Sequence, residues 1–220
     1  MLMLHPLQRL LETIYDAPSG HDIRDFLVTE RRHLPSERRA HAADEELVLV
    51  QERRRAYLML YIDAALLARL HVRDPLRALD GGNIADFWVA LEGVSHFSCV
   101  MWNAGHSRGV SLLDLELQAE VDKYIASFWL LRKQNPGHVP RELHHVLFVR
   151  TRLDPGLSPA RRQLYATATR YAARFCTALQ ASLLSSRPAH RRGAIAALRR
   201  FYRLTSSGKL RHIEALGLSG

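Results

Sequence analysis

Four residues have types and spacings that could do chemistry together: Glu92, His96, Glu116 and Glu120. A histidine titrates near neutral pH, so beside a carboxylate it can serve as a general base. The same donor types can also hold a divalent metal. Glu92 and His96 stand four apart in LEGVSHF (91–97), and Glu116 and Glu120 stand four apart in DLELQAEVDKY (114–124). On a helix, residues four apart share a face.

The elements that must position them are two long helices. Residues 84–103 place Ile84, Phe87, Trp88, Leu91, Val94, Met101 and Trp102 on a broad apolar arc, with Val89 and Val100 nearly opposite. A helix apolar almost all round is a buried one. Its polar exceptions, Glu92, His96, Cys99 and Asn103, form one narrow stripe at i, i+4, i+7, i+11. Gly93 lies off that stripe and would permit a close helix crossing. Residues 112–133 carry Leu113, Leu117, Val121, Tyr124, Phe128 and Leu131 as an apolar face. Beside them run Glu116, Glu120, Lys123 and Ser127 at the same spacing, with Asp114, Gln118 and Asp122 on the far flank. The short AGHSRGV connection makes the two helices antiparallel neighbours. The stripes then either face each other around a cavity or close as a polar seam with Lys123 and nearby arginines. Because buried charges demand partners, the seam is the favoured expectation.

No motif raises the site to a named chemistry. HExxH is absent, and the one Glu–His pair has i, i+4 spacing rather than the i, i+3 of carboxylate-bridged di-iron bundles. No metal or cofactor is therefore expected from motif. Ser95 sits in no GxSxG elbow. SSGK at 206–209 lacks the upstream glycine and following Ser or Thr of a phosphate-binding loop. His144 and His145, being adjacent, diverge on either a helix or a strand.

A second candidate is electrostatic. The net charge is +9, with arginine outnumbering lysine 28 to 3, a usage that points to a high-GC bacterial genome. Residues 151–220 hold 13 Arg and Lys against two acids, a net +11, while residues 1–150 carry −2. Such asymmetry hints at an anionic partner. Arg191, Arg192, Arg199, Arg200, Arg203, Lys209 and Arg211 interleave with Phe201 and Tyr202, a composition usable for nucleic acid. No nucleic-acid-binding signature accompanies it. The competing expectation is a solvated face, or arginines paired internally with the acidic first two thirds.

Around these lies a mainly α architecture, a compact single-domain bundle of about seven or eight helices, with a possible sub-boundary near 150–157. Helices are expected at 6–16, 21–31, 64–70, 84–103, 112–133, 159–184, 189–204 and 207–216, with 33–46 a loop and 141–150 a short helix or an extended segment. Asn83 should cap the first central helix, Ser111 with Asp114 the second, and Ser158–Pro159 should open the helix to Leu184. One peripheral β-hairpin is predicted at about 46–51 and 56–63, with an open edge through which a partner or a second copy could pair. No apolar run reaches a membrane span. The N-terminal stretch lacks the pattern of a signal peptide. Two cysteines without CxxC spacing fit a reducing cytoplasm. The expectation is thus a cytoplasmic bacterial binding or adaptor protein using its basic C-terminal third. The alternatives are an enzyme or small-ligand binder using the Glu/His cluster, and a nucleic-acid binder.

Overall fold

The computed structural model describes residues 3–40, 43–52, 55–150 and 156–216; side chains of 51, 52, 55 and 56 lie outside the description. The hairpin loop expected at 52–55 has its centre, residues 53–54, outside the described residues. Among the described residues the fold is mainly helical, with eight α-helices and a small three-stranded sheet.

Helices α3 (Ile84–Gly105) and α4 (Leu112–Gln134) form the centre. Around them pack α1 (Leu4–Tyr15), α2 (Ala64–Val72), α6 (Pro159–Leu184) and α7 (Pro188–Tyr202), with α5 (Leu143–His145) against α4 and α8 (Ser206–Ala215) against α6. One apolar core runs through all of them, including Leu7, Leu91, Phe97, Val121, Phe175 and Phe201. The helix starts follow their caps. Ser158 Oγ accepts from Arg161 N, with Pro159 just inside. Ser111 Oγ accepts from Asp114 N, but the Asp114 carboxylate does not return to complete a capping box, because it is drawn to Lys209 and Ser206. Asn83 does not cap α3 with its side chain. Its amide instead ties the preceding turn, donating to the carbonyls of Arg73 and Ala78 and accepting from Asp80 N.

The strands extend the hairpin reading. β2 (Glu45–Glu52) pairs antiparallel with β3 (Arg55–Ile62). The stretch read as a helix at 21–31 holds a 3-10 turn, Ile23–Phe26, and then β1 (Leu27–Val28), which pairs parallel with β3. The order β1-β3-β2 makes β3 central and leaves β2 at an edge. Period-two alternation divides the two faces. Leu47, Leu58, Leu60 and Ile62 join the main core, and Val48, Met59 and Tyr61 pack with Leu34 and Val28 on the other side.

The main-core face meets α3 at Gly93. A Cβ there would stand 2.8 Å from Glu45 Cγ and 3.1 Å from Leu60 Cδ1. Gly93 therefore does allow a close crossing, but the element that crosses is the sheet rather than another helix.

Candidate functional site

The two stripes meet in antiparallel register. Trp88 Nε1 donates to Ser127 Oγ at 2.9 Å, Lys123 Nζ contacts Glu92 Oε2 at 2.5 Å, and His96 Nε2 faces Glu116 Oε2 at 3.7 Å. Lys123 also contacts Glu120 at 2.9 Å, one turn back on its own helix. All four residues singled out from sequence thus converge, with Lys123 joining Glu92 to Glu120. Cys99 and Asn103 stay local: the Asn103 amide donates to Cys99 O.

Sequence reasoning missed a fifth acid, Glu45. It opens β2 and reaches over Gly93 to stand 3.3 Å from His96 Nδ1. The signal was available one residue upstream of the predicted strand, where alternation puts Glu45 on the inward face with Leu47.

The cluster is largely buried, with Glu92 (24% exposed) and Glu120 (18%) bordering solvent. Side-chain exposure is 9% for Glu45, 7% for His96, 8% for Glu116 and 11% for Lys123. Burial opposes charge on His96, but Glu45 and Glu116 overcome it and hold the imidazole well above its ordinary value. Burial pushes the Glu45 carboxyl up, against the pull of His96. Glu92 is lowered, because Lys123 outweighs desolvation; Lys123 is raised, because Glu92 and Glu120 outweigh the same cost. Tyr165 on α6 feels Glu116, Glu92 and Glu45, and burial together with those charges pushes its phenol to about 12.

The far flank of α4 is not a solvated edge but a second buried network. Asp122 accepts from Tyr15 OH (2.5 Å), Ser95 Oγ (2.6 Å) and Gln118 Nε2 (2.8 Å). Gln118 Oε1 accepts from Lys209 Nζ at 3.0 Å, and Lys209 pairs with Asp114 at 2.9 Å. The network links α1, α3, α4 and α8, and burial holds the Asp122 carboxyl up at about 6 despite its three hydrogen bonds.

The seven cations singled out in the C-terminal third are divided in role. Lys209 is interior, 1% exposed, and also lies over the Phe201 and Tyr202 rings. Arg199 donates to the carbonyls of Thr13 and Ile14, and Arg203 to those of Tyr15 and Asp16. These two guanidinium groups satisfy the last turn of α1, where helix carbonyls lack partners and the dipole favours cations. Arg191, Arg192, Arg200 and Arg211 remain exposed. Arg191 joins Arg132 and Lys133 of α4 around a groove of about 390 Å³ whose apolar lining is Phe128, Trp129, Leu183 and Ile195.

Both cysteines are free and buried, and among the described residues no helix is long and apolar enough to cross a membrane. No family model, curated protein or solved structure matches the chain.

Proposed function

We propose that this chain is a binding protein that presents a cationic groove to an anionic partner. One observation carries the reading: Arg132, Lys133 and Arg191 surround an apolar, aromatic-lined groove that no acidic residue lines. A concave apolar surface with a few convergent charges is the usual form of a ligand site. Arg192, next to Arg191 on α7, is also exposed and adds positive charge at that end of the helix. Arg199, Arg203 and Lys209 are left out, since they serve α1 and Asp114. Two free, buried cysteines fit a reducing cytoplasm as the setting.

The test compares R132E/K133E/R191E with R32E/R73E/R77E, which makes the same charge change at exposed positions held by local surface pairs. The probes are a labelled acidic peptide containing one aromatic residue and a labelled single-stranded oligonucleotide, at low and at physiological salt. Salt-sensitive binding lost in the first variant and kept in the second supports the groove, and the preferred probe separates a protein partner from a nucleic acid. No binding of either probe at low salt, or equal loss in both variants, refutes it.

A second reading, a ligand-binding or acid–base site at the Glu/His cluster, is favoured by the convergence of Glu92, His96, Glu116 and Glu120 with Glu45.

A further inference from the structure

We propose that Glu45, Glu92 and His96, with Glu116 behind the imidazole, form a binding site for one first-row divalent metal ion. The inference is independent of the cationic groove, which lies between α4, α6 and α7.

The geometry comes first. Glu45, Glu92 and His96 each offer a ligand atom, and these atoms lie within 4.8 Å of one another. Donors around a common ion at about 2.0–2.4 Å are separated by at most about 4–4.8 Å, so small side-chain movements close the shell. The donors come from two elements packed on each other: Glu92 and His96 from adjacent turns of α3, and Glu45 from the start of β2. Gly93 is what lets the strand come close enough to deliver Glu45.

The charge count is the second argument. Among the described residues, the ion pairs that Glu45, Glu92, Glu116 and Glu120 make within 4 Å are to Lys123 and His96. Even with a protonated imidazole the cluster holds two negative charges in excess. Buried charge without a counterion is costly. A divalent ion supplies the missing charge where the carboxylates converge.

A third observation points the same way. His96 is 6% exposed, yet its Nε2 has no hydrogen-bond partner. Glu116 Oε2, at 3.7 Å, is the nearest charged group and is too distant for a hydrogen bond. If Nδ1, on the Glu45 side, takes the ion, Nε2–H closes on Glu116. That is the carboxylate–histidine–metal relay by which a second carboxylate orients a ligand ring. Lys123 sits on Glu92 Oε2 and leaves Oε1 for the ion.

The donor set selects the ion class. Carboxylates with one imidazole suit Mn²⁺, Fe²⁺ or Zn²⁺; an all-oxygen cage would suit Ca²⁺, and thiolates would suit softer ions. Three protein donors leave the shell open to water or to a ligand atom, as in reactive rather than structural sites.

The test uses the full chain after chelator treatment. Titration with Mn²⁺, followed by loss of the free-ion EPR signal, should show one ion bound per chain, and thermal melting should shift upward. Pulsed EPR of the bound Mn²⁺ should show coupling to one imidazole nitrogen, a wild-type measurement that needs no variant to fold. Glu45→Gln and His96→Gln should each weaken binding at least tenfold, and Glu116→Gln about 10- to 100-fold. Glu120→Gln, outside the ligand set, should leave affinity within a few-fold. Failure of wild type to bind, absence of nitrogen coupling, or unchanged affinity in both Glu45→Gln and His96→Gln would overturn the proposal.

Discussion

Asp122→Asn changes one atom in the network that joins α1, α3, α4 and α8, and its effect should depend on pH in a defined direction. The carboxylate is buried and accepts from Tyr15, Ser95 and Gln118. Burial lifts it from the ordinary aspartate value of 3.8 to about 6, against the pull of those hydrogen bonds and of Lys209. A carboxyl whose folded value lies above its unfolded value favours the acid form on folding. Its contribution is therefore fully present below pH 3.8 and is lost as pH rises to about 6. At about 1.4 kcal/mol per tenfold change in proton affinity, the loss is roughly 3 kcal/mol. Asparagine mimics the acid form: its oxygen can accept from Tyr15 and Gln118 while its amide donates to Ser95 Oγ. Urea unfolding of both proteins between about pH 4 and pH 8 should show the variant gaining about 3 kcal/mol relative to wild type through that window, then a constant gap. A gap independent of pH, or one that moves against the variant as pH rises, would refute the placement of a buried, ionised Asp122.

Three further substitutions probe the framework. Gly93→Ala gains helix propensity of about 1 kcal/mol, but its Cβ would meet Glu45 and Leu60; overpacking should leave a net loss of about 1–2 kcal/mol in a thermal melt. Lys209→Met removes the partner of a buried Asp114. It should cost about 3–5 kcal/mol in urea unfolding, and Lys209→Met with Asp114→Asn should recover much of that. Arg203→Ala removes two bonds to the α1 carbonyls and should cost about 1–3 kcal/mol, while anionic-probe binding stays at the wild-type level.

The central pair was legible because its information is local. Apolar spacing marked α3 and α4, a short connection made them antiparallel, and matched offsets put Glu92, His96, Glu116 and Glu120 on facing stripes. Ser158–Pro159 placed the start of α6 for the same reason. What stayed hidden depends on contacts distant in sequence. β1 is two residues long, too short for any periodicity, and exists because β3 offers it a parallel edge. Lys209 looked like part of a cationic face, but Asp114 and Gln118, about ninety residues earlier, draw it inside. Arg199 and Arg203 meet α1 from the other end of the chain. Glu45 reaches His96 only because the sheet folds over Gly93.

The account turns on one claim: among the described residues, the cluster between α3, α4 and β2 holds more negative charge than the cations paired with it neutralise. The most direct test is the urea midpoint of metal-free Glu45→Gln against wild type at neutral pH. Burial disfavours the Glu45 charge more than His96 supports it, so removing that charge should raise the midpoint, and added Mn²⁺ should then stabilise wild type more than the variant. A midpoint several tenths molar below wild type, as expected for a broken, balanced ion pair, would contradict the claim.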